Sequence, residues 1–370
     1  MTGGVPAIVP GTHPVPARCN RPDTGYPERM KLGVLDIGSN CAQLQIVDAA
    51  PGAPPLPALA IKEPTRLAEE IEDAGLSEAG TARVVHAVGQ AMVAARQNHV
   101  EELFVYATSA IRDAANRDRV LDRIEAETGV RPQFLTGEDE ARLTYAAAHR
   151  WYGWAAGRIL LLDIGGGSLE IALGRDAKPE LALSLPLGAG RLTRAFLPDD
   201  PPGRAQVRDL RRHVRATLRE ISDRLRWEGH PARAVATSKT FKQLARVCGA
   251  APQRKGPFVH RELRAADLRA LVPELAAKPA AKRAKMRGIS AGRARQIVAG
   301  AVVAEQAMKA FDLEAVELCP WALREGVILR YLAGLPDQVP DLHLQPVRGV
   351  PRPEGAVPLR PVADSELPIP

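Results

Sequence analysis

The phrase Leu35-Asp36-Ile37-Gly38-Ser39-Asn40 returns in altered form 127 positions later as Leu162-Asp163-Ile164-Gly165-Gly166-Gly167-Ser168. An acidic residue just ahead of a small-residue turn can hold a divalent cation. Glycines without Cβ atoms let backbone N–H groups converge on a phosphate. One such turn is ordinary hairpin chemistry. Two at a spacing of about one domain make a phosphate clamp the stronger reading.

Other chemistry-bearing residues lie between and beyond the two turns. Glu170 falls two residues after Ser168, so alternation points it toward the same ligand, unless it simply occupies an exposed strand face. Thr136-Gly137-Glu138-Asp139-Glu140-Ala141-Arg142 packs three carboxylates around a helix start. Acidic side chains favour that position through the macrodipole; a carboxylate there could also serve as general base, activating water against a phosphoanhydride. Thr108, Ser109 and Arg112 follow a strand, where an open α/β sheet holds its ligands and a guanidinium can grip phosphate. A capped helix start with a surface ion pair accounts for them equally. Thr237-Ser238-Lys239-Thr240 repeats the design with a lysine, or with Ser238 as an ordinary N-cap. Lys278, Lys282, Arg283, Lys285, Arg287, Arg293 and Arg295 form the densest basic stretch, read as a helix that is either a solvated face or a track for a polyanion.

The elements that must carry these residues alternate. Strand, turn, strand is expected at 32–47 and 159–173, helices at 80–97, 117–128, 137–151, 204–226 and 240–247, strands at 102–108, 134–135 and 233–237, further helices over 265–311, and a last helix from near Trp321. This is an α/β pattern. Residues 1–30 and 336–370, with six and nine prolines, read as disordered tails. Translation starting at Met30 is a further expectation, checked by mass spectrometry of the native N-terminus.

A chain of 370 residues with 45% hydrophobic content has room for two ordinary cores. Aromatic residues make up only 4%, too few for the stacking platforms of single-strand nucleic-acid binders. A net charge of +7 favours anionic partners without naming one. Cys19, Cys41, Cys248 and Cys319 are isolated and fit reduced thiols in a cytoplasmic protein. No apolar run reaches the length of a membrane span.

Taken in order, the 35–40, 107–113, 137–142 and 163–170 segments and Leu323-Arg324-Glu325-Gly326 resemble the Ppx/GppA exopolyphosphatase and guanosine pentaphosphate phosphatase family from about Lys31 to Leu332. Trp151-Tyr152-Gly153-Trp154 and Cys319-Pro320-Trp321 are similar to its short two-domain members in high-GC Gram-positive bacteria. The resemblance implies a two-lobed actin/hexokinase/Hsp70-like ATPase fold, with lobe I at 31–150, lobe II at 151–335, the site between them, and a last helix able to pack back on lobe I. It implies Glu140 as the base; Asp36, Asp163 and Glu170 as organisers of Mg²⁺ or Mn²⁺; and Gly38, Ser39, Asn40, Thr108, Ser109, Gly165, Gly166, Gly167, Ser168, Ser238 and Lys239 around the phosphates. Arg112 would bind the phosphate under attack. A cytoplasmic homodimer acting on inorganic polyphosphate is the implied state, with no nucleic-acid or membrane partner.

Two departures bear on substrate. Cys41 replaces the usual Ser or Thr after Asn40. Lys239 stands where many members have Gly, which would crowd a nucleotide base and attract polyphosphate. The chain also lacks the extra C-terminal helical domains of long members, which favours short polyphosphate chains. The alternatives are a guanosine pentaphosphate 5′-phosphohydrolase and a non-catalytic polyphosphate or guanosine penta- or tetraphosphate sensor; a binder, however, has no need of Glu140. A sugar kinase or chaperone of this fold would need a loop or domain not visible here.

Overall fold

In the computed structural model, residues 30–50, 52–67, 70–72, 74–227, 230–333 and 344–350 are described. Cys19 and most of both expected tails lie outside these residues.

The apolar run ending at Asp36 becomes β1 (Met30–Ile37), which turns into antiparallel β2 (Cys41–Ala49) and then β3 (Leu59–Pro64). A small hairpin follows, β4 (Ile71–Glu72) with β5 (Gly75–Leu76). Helix α1 (Glu78–Gln97) starts at Ser77, whose hydroxyl accepts from the Gly80 amide at 3.0 Å, and it buries Val84, Val88, Ala91 and Met92. The chain returns as β6 (Glu102–Ala107), parallel to β1. It continues through the single turn α2 (Ser109–Arg112), α3 (Arg117–Thr128), the short β7 (Gln133–Phe134) and α4 (Gly137–Tyr152). Gly129 ends α3 in the left-handed conformation.

The scheme then repeats. β8 (Ile159–Ile164), β9 (Leu169–Gly174) and β10 (Leu181–Leu185) form an antiparallel run. Helices α5 (Ala189–Phe196) and α6 (Arg204–Trp227) lead to β11 (Arg233–Ala236), parallel to β8 as β6 is to β1. After it come α7 (Ser238–Val247), β12 (Glu262–Arg264), α8 (Ala265–Ala276), the short α9 (Ala280–Arg283), α10 (Ile297–Ala310), β13 (Ala315–Leu318) and α11 (Leu323–Ala333). A last short strand, β14 (Val347–Arg348), completes an α/β fold with two mixed sheets, ordered β14-β6-β1-β2-β3 and β10-β9-β8-β11-β13-β12. Among the described residues no helix is long and apolar enough to cross a membrane.

Each sheet has its own apolar core, and α11 crosses back from the second to the first. Its Val327 and Ile328 sit in one buried cluster with Leu32, Val34 and Phe104. Gly326 allows this approach, since a Cβ there would fall 2.1 Å from the Leu143 carbonyl oxygen of α4. The packing delivers Arg324 and Glu325 to the first sheet.

Two expectations are corrected. Within the stretch expected to be a disordered tail, residues 344–350 are ordered: β14 (Val347–Arg348) pairs with the open edge of β6 and Leu344 is buried. An unpaired strand edge offers backbone hydrogen bonds that a Pro-rich segment can still use. The basic stretch over 278–295 is not one helix face. Pro279 opens only the short α9, and Arg283 is wholly buried against Asp200. Arg295 donates to the Leu197, Pro198 and Asp199 carbonyls, while Arg293 lines the cleft.

Candidate active site

The two repeated phrases fold alike. Gly38 N–H donates to the Cys41 carbonyl at 3.0 Å, and Gly165 N–H donates to the Ser168 carbonyl at 2.9 Å, closing equivalent four-residue turns. The glycines here serve closeness rather than a left-handed backbone. A Cβ on Gly166 would stand 1.9 Å from the Ser39 hydroxyl oxygen, and one on Gly167 would stand 2.1 Å from that of Ser109. Turns from different sheets therefore press directly on one another.

Beside them lies a cleft of about 900 Å³. Asp36, Gly38, Ser39 and Asn40 enter it from the first turn, Thr108 and Ser109 from the end of β6, and Glu140 from α4. Asp163, Gly165, Gly166, Ser168 and Glu170 come from the second turn, with Ser238 and Lys239 from α7. Two expected residues stand apart from its lining: Gly167 faces a neighbouring cavity, and Arg112 lies behind Glu140.

The three carboxylates at the start of α4 divide their work. Asp139 closes the helix start, its amide donating to the Thr136 hydroxyl at 3.1 Å, while Glu138 pairs with Arg142 on the surface. Glu140 turns inward and is only 7% exposed. Arg112 Nη1 lies 2.6 Å from Glu140 Oε1 and 2.9 Å from the Leu135 carbonyl, and Arg112 Nε reaches Asp113 at 3.2 Å. Burial pushes the Glu140 carboxyl up to about 7; Arg112 opposes this, and Asp36 and Asp163 add to it. A carboxylate held there can take a proton from water near neutral pH.

The other carboxylates are also strained by burial. The Glu170 carboxyl rises well above its usual range because it is desolvated and faces Glu140 and Asp163, although Ser184 donates to it at 3.0 Å. Asp163 is raised by burial against the Thr237 hydroxyl, which donates at 2.5 Å. Asp36 is raised by burial against Arg324, whose Nη1 is 3.0 Å from Oδ2. The other Asp36 oxygen, Oδ1, is buried with no partner.

Among the described residues no three of His, Cys, Asp and Glu are close enough to hold a metal by themselves. A cation with hard-oxygen preference still fits. The orphaned Asp36 Oδ1 and the crowded Asp163 and Glu170 supply oxygen donors, and ions such as Mg²⁺ complete their shell with water and phosphate.

Several participants are given no role by the sequence, although Arg324 and Glu325 lie in one of the segments that carry the resemblance. Arg324 and Glu325 lie far along the chain; Glu325 accepts from Gln45 at 3.1 Å and from the Ala322 amide at 2.8 Å. Gln296 reaches Asn40 at 2.7 Å. Thr237, not Ser238, occupies the cap position of α7, and its hydroxyl serves Asp163 instead of the helix. Ser238 takes φ +58°, an uncommon backbone state for a residue with a Cβ.

Residues 46–334 match the Ppx/GppA phosphatase family. The chain belongs to this family. Exopolyphosphatase 1 of Mycobacterium tuberculosis strain H37Rv is 54% identical over 304 residues, spanning 82% of this chain and 88% of that protein. Exopolyphosphatase 1 of Mycobacterium leprae is 51% identical over 304 residues, spanning 82% and 90%. The crystal structure of an exopolyphosphatase from Cytophaga hutchinsonii superposes with a TM-score of 0.75 at 23% identity, covering 82% of this chain and 98% of that one, which establishes the shared Ppx/GppA fold.

Proposed function

We propose that this Ppx/GppA protein is an exopolyphosphatase that removes the terminal phosphate of inorganic polyphosphate. The observation that carries the reading is Glu140, a buried carboxylate raised to about 7 and set in the cleft beside the two glycine turns, which in this reading bind phosphate. Relatives named exopolyphosphatase at 54% and 51% identity support polyphosphate over guanosine pentaphosphate.

In this mechanism the chain enters the cleft and its terminal phosphates meet the backbone of the 38–40 and 165–168 turns. Glu140 orients a water and takes its proton as the water oxygen attacks the terminal phosphorus. The bond to the bridging oxygen breaks, and that oxygen leaves with the shortened chain. Arg112 neutralises Glu140 from behind in the resting site, and in this reading it must move past that carboxylate to bind the phosphate under attack. Asp36, Asp163 and Glu170 would hold Mg²⁺ or Mn²⁺, which when bound neutralises charge on the phosphoryl oxygens. Lys239, with Lys62 across the cleft, meets inner phosphates and favours short chains of polyphosphate over a nucleotide. The protein acts in the cytoplasm as a homodimer in this reading, which size-exclusion chromatography with light scattering checks.

The deciding experiment measures phosphate release from short and long polyphosphate and from guanosine pentaphosphate, in Mg²⁺ or EDTA, for the wild type and Glu140→Gln. Fast, metal-dependent release from polyphosphate that the variant loses is the expected result. Binding of polyphosphate without release would turn the reading toward a sensor.

A further inference from the structure

Lys239, Lys242, Gln243 and Arg246 all line the cleft, and their spacing puts them on one face of α7. The helix starts at the second glycine turn, where Thr237 bonds Asp163, and runs away from it. Arg246 therefore lies about 10 Å beyond Lys239 along the axis. The cleft lining holds five carboxylates, Asp36, Glu140, Asp163, Glu170 and Glu325, yet the charged groups that face Arg246 are two further guanidiniums, Arg254 and Arg287. Both are exposed, and among the described residues the side chain of neither has a hydrogen-bond or ion-pair partner.

This end of the cleft is held in shape. Gly288, which follows Arg287 and lines the cleft, takes φ +104°, and a Cβ on it would stand 2.6 Å from Arg246 Cγ, so the stem of Arg246 rests directly on that backbone. Arg246 Nη1 donates to the Ala250 carbonyl at 2.7 Å, which leaves its other donors for a ligand. The loop that brings Gln253 to the cleft, with Arg254 beside it, is gathered by one buried guanidinium. Arg261 donates to the Ala251 and Val259 carbonyls at 2.9 Å, to Pro252 at 2.8 Å and to Gly256 at 3.0 Å. Like charges brought together without a counter-charge repel, and an anion set among them offsets that cost. We propose that Arg246, Arg254 and Arg287 form an outer phosphate subsite. It takes a unit of the polyphosphate chain several units away from the end under attack, and so sets the chain length beyond which affinity stops rising. The proposal rests on the exopolyphosphatase reading.

Steady-state kinetics on tripolyphosphate, too short to span from the turns to Arg246, and on long linear polyphosphate test the subsite. Arg246→Gln keeps a stem on Gly288 and removes the charge. It should raise KM for the long chain roughly tenfold more than KM for tripolyphosphate, the loss falling on KM rather than kcat. Arg287→Glu, at an exposed position outside the cleft lining, should move the same ratio in the same direction. A KM shifted equally for both lengths, or not at all, in either variant would overturn the subsite. Calorimetric titration of the same two polyphosphates in EDTA needs no turnover. Weaker binding of the long chain by Arg246→Gln upholds the subsite even if nothing is hydrolysed, and equal binding by wild type and variant overturns it.

Discussion

Arg112 Nη1 sits 2.6 Å from Glu140 Oε1, so a guanidinium at the end of α2 holds the carboxylate in the first turn of α4. The pair brings together two segments 28 residues apart. It sets opposing effects on one proton: burial raises the Glu140 carboxyl and Arg112 restrains it. Both appear in how activity depends on pH.

Glu140→Gln removes the proton acceptor while keeping shape, so kcat falls by about 10²–10⁴-fold with the fold intact by circular dichroism. Near-normal turnover would show that the base lies elsewhere.

In the proposed mechanism the wild-type rate depends on ionised Glu140. Since its carboxyl is raised to about 7, kcat/KM rises with pH through that value and then levels. Arg112 lowers this value, so Arg112→Gln moves the ascending limb to higher pH; a pH–rate profile of the two proteins measures the shift.

Asp36, Asp163 and Glu170 are all raised by burial, as is Glu140. For a carboxyl whose folded value exceeds its unfolded one, the folded state binds the extra proton, so stability is lost as pH climbs through the folded value. A divalent cation bound by these carboxylates would replace those protons. Mg²⁺ therefore raises Tm more at pH 8 than at pH 6, and EDTA abolishes the difference; differential scanning fluorimetry reads both.

Gly326→Ala places a methyl 2.1 Å from a backbone oxygen of α4, where no side chain can move aside. Overpacking of this kind costs about 1–3 kcal/mol or more. Urea unfolding should show that loss, together with weaker activity, because the same helix carries Arg324 to Asp36.

Lys239 lines the cleft, and burial together with Lys62 and Arg293 lowers its proton affinity. Lys239→Gly should raise KM for polyphosphate by roughly tenfold with little change in kcat, and less for guanosine pentaphosphate. An equal change for both substrates would remove this lysine from substrate choice.

The chain by itself determined its repeated architecture. Alternating apolar strands, the twin Asp-Gly turns and the acidic helix start are local patterns of period, turn chemistry and capping, so β1–β2, β8–β9 and α4 are legible without a structure. Only tertiary packing decided which members of those patterns share one site. Three carboxylates open α4 in equivalent local surroundings, and the half-buried Arg112 pairs with Glu140 among them. The basic stretch reads as one face until Pro279 and the Asp200 partner bury Arg283 and leave Arg293 on the cleft. Arg324 reaches Asp36 across 288 residues because Gly326 lets α11 lie against α4. Local sequence carries dihedral preference and periodicity over a few residues. Contacts made by crossing elements depend on close packing of the whole chain, which no short pattern encodes.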